Sequence, residues 1–291
     1  MNFKQALESD KFLVTTELGP VKGTDVSKLL EDASLLKERV DAINVTDLQS
    51  SVMRLGSLAC SHLLTDMGID PIFQLTCRDR NRLALQSDLL CAWVLGIRNV
   101  LALTGDHPAM GDHPEARPVF DLDSVSMLKA IAKLNEGFDM SGGELKGSPD
   151  FLAGAVVNPG ADTEAALELQ IIKMKKKIAA GAKFFQTQAV YDIDLFEKFI
   201  RRVEGLNVPI IGGVILLKSA GMARFMNKNV AGVFVPTPLI KEMTDTKDRV
   251  KKSVEIAARI VKRLKNLCQG VHIMALGWEK MIPAVLDQAG I

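Results

Sequence analysis

The sequence predicts a (β/α)8 TIM barrel formed as one catalytic domain over residues 1–291, and three observations carry that prediction. Short apolar runs alternate with longer amphipathic ones, the pattern of parallel strands joined by right-handed helical crossovers. A unit of helix end, small residue, glycine and apolar strand recurs, at Leu95-Gly96 before Val100 and at Ala180-Gly181 before Phe185. No GxGxxG motif follows the first strand, which counts against the competing open, doubly wound sheet. With 291 residues, 47% of them hydrophobic, the chain can build the large core such barrels need.

Residues 12–17 read as the first strand, closed by Gly19-Pro20. Over 25–40, Val26, Leu29, Leu30, Ala33, Leu36 and Val40 recur at helical spacing. Strand 42–46 and helix 55–67 follow, then strand 71–77. Asp79 is a candidate cap for the next helix, and Gly96 is placed to end it. Strand 99–104 runs into Gly105-Asp106 and a loop rich in Pro, His and Gly, before a helix at 122–135. The second half repeats the rhythm: strands 151–157, 183–189 and 208–215, with helices 162–179, 192–204 and 217–226. A long helical pattern fills 238–266, with a break expected near Thr244; strand 272–276 and helix 278–289 close the chain. The strand count is eight if 231–235 is a loop and nine if it is a strand.

Charge is balanced, 36 basic against 35 acidic residues, so no bulk attraction to nucleic acid or to an acidic membrane surface is expected. The four cysteines (Cys60, Cys77, Cys91, Cys268) show no CxxC spacing, and the histidines are dispersed, so no metal site held by this chain is expected. Residues 1–10 lack an apolar signal core. The longest apolar run, 208–217, falls short of the roughly 18–20 residues of a membrane span. The expectation is a cytoplasmic protein.

In a barrel of this class, chemistry sits at the C-terminal ends of the strands. Glu17 alternates with Leu13 and Thr15, so it shares their face. A carboxyl held in its acid form there is a usable general acid; the plain alternative is a salt-bridged rim carboxylate. Gly105 permits a tight turn against a ligand, Asp106 can accept from ring N–H groups, and His107 can contact phosphate; an ordinary turn capped by Asp106 is the alternative. Gln186 and Gln188 alternate on one face, suited to an amide-bearing heterocycle or to a polar layer inside the barrel. The run Lys173 to Lys177 reads as a solvated helix face, with one member free to reach a cofactor phosphate.

The ordered set Thr16-Glu17, Val45-Thr46, Leu75-Thr76-Cys77, Ala102-Leu103-Thr104-Gly105-Asp106, Val157-Asn158-Pro159, Lys177, Ala180-Gly181-Ala182 and Thr187-Gln188 resembles the methylenetetrahydrofolate reductase family, from about residue 10 to residue 285. That resemblance implies a flavin-dependent barrel that passes a hydride from the flavin N5 to 5,10-methylenetetrahydrofolate, giving 5-methyltetrahydrofolate. It implies Glu17 as the general acid, and Asp106, Gln188 and Gln186 as pterin contacts. It further implies Thr46, Gln74, Thr104, Gly105, Asp106, His107, Phe120, Asn158 and Lys177 around the flavin. Several positions depart from better-known members. Gln74 stands where they have His, Thr104 where they have Arg, and Gly154 and Asn158 where strand five carries an aromatic and a His. FAD and FMN therefore both stay open. No aromatic ring occurs in 215–220 to stack on a nicotinamide, and Gly270 to Trp278 resembles the one-carbon enzymes of anaerobes. The electron donor implied is a partner protein with iron–sulfur or flavin centres, and an oligomer is expected. The competing functions are a flavin-free, pterin-binding methyltransferase barrel and a non-catalytic assembly subunit.

Overall fold

The computed structural model describes residues 1–160, 163–230 and 232–291. Eight parallel strands close into a barrel in sequence order: β1 (Leu13–Leu18), β2 (Ala42–Val45), β3 (Pro71–Thr76), β4 (Asn99–Leu103), β5 (Leu152–Val157), β6 (Phe184–Ala189), β7 (Ile210–Ile215) and β8 (Gly270–Met274). β1 pairs with β8, Leu13 against Gly270, so no sheet edge is left open. Residues 232–235 form no strand, which leaves eight; residue 231 lies outside the described residues, as does the first residue of the expected helix 162–179.

The helices follow the expected order with shifted ends. The pattern over 25–40 yields Ser27–Leu36, which buries Leu29, Ala33 and Leu36 on one stripe. The helix after β3 is capped by Asn81 and not by Asp79: Asn81 accepts from the Leu83 and Ala84 amides, while the Asp79 carboxylate is taken by Arg78. Gly96 ends that helix at φ +86°. The long pattern at 238–266 is two helices, Thr237–Asp245 and Arg249–Leu264, with Asp248 capping the second. A five-residue helix, Phe3–Leu7, was not expected; its capping box joins Asn2 and Gln5.

Inside the barrel the side chains lie in layers. At the N-terminal floor, Leu13, Ala42, Ile72, Leu101, Leu152, Phe184 and Ile211 meet Phe3 and Ala6 of the first helix. Phe3 and Phe184 pack edge to face with ring centroids 5.3 Å apart. Each fully buried ring is worth on the order of 2–3 kcal/mol of burial. Gly154 is the cost of this plug: a Cβ there would lie 2.2 Å from the Phe184 ring. An aromatic at position 154 therefore has no room in this barrel.

One layer higher the interior turns polar. Thr15, Asn44, Gln186 and His272 are all buried. Asn44 and Gln186 exchange amide hydrogen bonds of 2.7 and 3.0 Å across the barrel. His272 Nδ1 lies 3.0 Å from the Thr15 hydroxyl. Above this layer the strands reach the mouth. β6 carries a bulge between Gln186 and Ala189, and Gln188 lies within it.

Candidate active site at the barrel mouth

Two cavities open at the C-terminal ends of the strands. The larger, about 430 Å³, lies over β1, β2 and β8 and is bordered by Glu17, Lys28, Gln49, Arg54, Leu276 and Glu279. The smaller, about 230 Å³, lies over β2 to β4 and is bordered by Gln49, Gln74, Thr76, Thr104, Gly105 and Asp106. Gln49 borders both. A hollow beside Tyr191 and Phe234 measures only about 20 Å³, room for a single water.

Glu17 ends β1 on the inward face and is only 8% exposed. Its carboxylate faces His272 Nε2 at 3.9 Å, close enough for electrostatic contact and too far for a direct hydrogen bond. His272 thus lies between the Thr15 hydroxyl on its Nδ1 side and Glu17 on its Nε2 side. A carboxyl group thus stands at the border of the larger cleft with a histidine beneath it.

The smaller cavity is held by charge. Asp47, buried at the end of β2, accepts from the Thr76 amide (2.9 Å), the Thr76 hydroxyl (2.8 Å) and Arg80 (2.7 Å). Arg80 also pairs with Asp88 at 2.8 Å. Burial works against the charged guanidinium, yet Asp47, Asp88 and Asp79 together hold its pKa above the usual arginine value. Gly105 sits at φ +92°, where a Cβ would press to 3.1 Å on Thr76 and Arg78; glycine lets the backbone pass there. Cys77 turns away from the cavity toward the Met127 sulfur, and burial, with Asp123 adding, pushes its thiol up to about 12. It is a packing residue and no nucleophile at neutral pH.

The expected residues divide into three groups. Gln74, Thr104, Gly105 and Asp106 border the smaller cavity, and Glu17 the larger. Thr46 lies just below, buried, with a hydroxyl that has no hydrogen-bond partner. Gln188, near the end of β6, is half-buried and borders neither cavity, and its side-chain amide makes no hydrogen bond among the described residues.

A second group is present but already engaged. Gln186 is 3% exposed and spends its amide on Asn44 and Thr15, so it belongs to the polar layer and not to the mouth. The alternation that put it beside Gln188 is interrupted by the bulge. Asn158 caps the Gly160 amide and lies against Gly232. Lys177 donates to the Val156 carbonyl at 2.7 Å, beyond the last β4–β5 pair, Leu101 with Gly154. Burial first, then Lys173, pull its pKa down to about 8, with Asp123 opposing. Thr104 also accepts from the Ser124 amide.

A third group forms the outer rim. His107 is exposed and accepts from the Ala109 amide; its ring lies 6.4 Å from that of Phe120. Phe120 holds φ +41°, a strained value for an aromatic residue.

Sequence reasoning missed His272 and Arg80; the strand-end rule selects Asp47 and Arg78 but gives them no role. His272 was legible in part, since it alternates with Met274 on an inward face. Arg78-Asp79-Arg80, three charges directly after an apolar strand, was the signal for the clamps. Among the described residues no cluster of three or more His, Cys, Asp or Glu could hold a metal ion, and no helix is long and apolar enough to cross a membrane.

Comparison with known proteins gives a consistent result. The sequence profile described as methylenetetrahydrofolate reductase matches residues 2–290. The 5,10-methylenetetrahydrofolate reductase of Salmonella typhimurium is 28% identical over 233 residues, covering 77% of this chain and 71% of that protein. Methylenetetrahydrofolate reductase 2 of Schizosaccharomyces pombe is 25% identical over 244 residues, covering 77% of this chain but 36% of that protein. The chain thus spans only about a third of the length of the fission-yeast and plant relatives it matches. Among solved structures, an uncharacterized protein from Clostridium thermocellum that binds two copies of 5-methyl-5,6,7,8-tetrahydrofolic acid superposes with a TM-score of 0.62 at 18% identity, over 99% of this chain and 98% of that one. A 2,3-dimethylmalate lyase of the PEP mutase/isocitrate lyase superfamily reaches 0.54 at 12% identity, over 99% of this chain and 85% of its own. At such identities these two superpositions speak for the fold alone.

Proposed function

The chain belongs to the methylenetetrahydrofolate reductase family, and from that premise we propose that it reduces 5,10-methylenetetrahydrofolate to 5-methyltetrahydrofolate with a flavin as hydride donor. The observation that carries this reading is the placement of Glu17, a buried carboxyl at the floor of the 430 Å³ cleft with His272 beneath it.

The residues fit a flavin on two counts: the buried Thr46 hydroxyl lacks a partner, and Gly105 borders the smaller cavity with no side chain of its own. Gln74, Thr104, Gly105 and Asp106 would hold it, with His107 and Phe120 at the rim. A bound flavin supplies the hydride that reduces the methylene carbon. Glu17 gives its proton to the ring nitrogen that leaves that carbon, so the five-membered ring opens to an iminium ion. Asp106 accepts from pterin N–H groups, and the free amide of Gln188 pairs with the pterin's amide edge. Hydride and proton together balance the product.

The finer points belong to the same reading. FAD and FMN are both compatible, since Asn158 and Lys177 are engaged on β5. A partner protein with iron–sulfur or flavin centres is the electron donor, supported by the absence of an aromatic ring in 215–220. A cytoplasmic setting fits four cysteines that form no disulfide.

The test is made on the purified chain. It should be yellow, and heat should release one flavin identifiable by chromatography. Glu17→Gln should keep that flavin and lose turnover by about 10²- to 10⁴-fold. A colourless protein that binds pterin but no flavin would move the assignment to a methyltransferase barrel. Rapid flavin reduction by NADH would remove the partner protein.

A further inference from the structure

Arg78 is 2% exposed at the end of β3, yet it borders the smaller cavity. A buried guanidinium at a cavity wall has two possible uses, to bind a ligand or to hold the wall. Counting its donors decides between them. A guanidinium carries five N–H groups. The Nε proton and one Nη2 proton go to the Asp79 carboxylate, at 2.9 and 2.7 Å. The second Nη2 proton goes to the Leu48 carbonyl at 3.3 Å. The two Nη1 protons go to the Ser51 hydroxyl at 3.1 Å and the Asp106 carbonyl at 3.4 Å. Every donor is used inside the chain, and none is left for a ligand.

The acceptors belong to two loops that follow different strands. Leu48 and Ser51 lie after β2, and Asp106 lies after β4. Ser51 passes the link on, donating to the Asp106 carbonyl at 2.9 Å. The β2 loop needs such a hold: Leu48, Ser50 and Ser51 sit at φ +45°, +56° and +58°, each costing on the order of 1–2 kcal/mol for a residue with a Cβ. Released, these residues would relax and carry the wall of the cavity with them.

We infer that Arg78 is a positioning residue whose saturated guanidinium locks the β2 and β4 loops into one rim and so fixes the backbone that carries Asp106. The hold itself is independent of the proposed function; only its kinetic consequence rests on Asp106 touching the pterin.

The experiment compares the full chain with Arg78→Met, Arg78→Lys and Ser51→Ala. Hydrogen exchange is read at 47–51 and 104–111, and KM and kcat for 5,10-methylenetetrahydrofolate are read separately. Arg78→Met should speed exchange in both loops together by about ten- to a hundredfold, with the strands unchanged. Arg78→Lys should behave in the same direction, since three donors cannot replace a five-donor fork. KM should rise about tenfold while kcat holds, because fewer molecules keep a formed rim. Ser51→Ala removes one link and should give the same pattern at about threefold. The inference is overturned if Arg78→Lys matches the unsubstituted chain, if only one loop responds, or if exchange rises throughout the barrel. Should the Arg78 variants not fold, Ser51→Ala decides: unchanged exchange at 104–111 overturns it. A chain that never turns over the pterin defeats the proposed function, and the exchange comparison still decides the hold.

Discussion

At the floor of the barrel, side chains from seven strands and one short helix pack around Phe184 in an apolar cluster. Two layers up, the strands present Glu17, Thr76, Gln188 and, just beneath them, Thr15, Asn44, Gln186 and His272. The floor is held by contact area, which tolerates no gap and asks for no partner. The mouth is held by hydrogen bonds, each of which must be matched. The difference teaches where each end can fail. A change at the floor should cost stability and leave ligand recognition alone. A change at the mouth should alter recognition or turnover well before it unfolds the chain.

The sharpest separation comes from Glu17→Gln. Turnover should fall by about 10²- to 10⁴-fold, with a melting temperature within a degree or two of the unsubstituted chain. A matching loss of stability would show that Glu17 is a structural partner of His272 and would break the comparison.

Phe184→Ala is the converse. It should cost about 3–5 kcal/mol in denaturant unfolding, since the floor cannot collapse around Gly154. Flavin and pterin affinities of the folded fraction should stay within about twofold. A large loss of affinity would mean the floor sets the mouth's geometry.

Asp47→Asn tests the clamp at the mouth. It leaves Arg80 facing one carboxylate fewer, and a broken buried pair costs about 3 kcal/mol or somewhat less here, because Arg80 is partly exposed and keeps Asp88. Urea unfolding measures it. Of the mouth substitutions, this one should reach the stability of the whole chain.

Lys177 gives the smallest effect and a distinct pH signature. Its folded pKa of about 8 lies below the ordinary 10.5, so the unfolded chain holds the proton more tightly. Below pH 8 both states are protonated and the full penalty is present. Between about pH 8 and 10.5 the folded chain releases the proton first, so stability rises with pH. Lys177→Met should remove that rise, worth about 1–2 kcal/mol after allowance for its partial exposure. Unfolding midpoints from pH 7 to 10 check it; an unchanged slope would remove Lys177 from the account.

Much of this architecture can be read in the sequence, and the residues that cannot are informative. Eight strands are legible because both barrel faces leave a local record: apolar runs, amphipathic helices and glycines at helix ends. The strand-end positions of Glu17, Asp106 and Gln188 are legible because apolar runs lead up to them. For Gln186 the sequence leaves a ligand contact and a polar layer both open, since its partner Asn44 lies 142 residues away and a bulge interrupts the alternation. His272 meets Thr15 across 257 residues. No local pattern encodes a pair made by barrel closure. Asp79 was expected to cap a helix because its residue type favours caps; the neighbouring arginine outbids the backbone for its carboxylate. The first helix is too short to show a period.

That first helix also orders the events of assembly. Phe3 seats against Phe184, a ring made much later in synthesis, in a floor completed only when β8 joins β1. Phe3 thus gains this contact only after β6 is in place. Until then the half-built barrel shows an open apolar throat to its neighbours. Phe3→Ala should lengthen that interval, and the yield of refolding at high protein concentration should fall further than equilibrium stability alone accounts for.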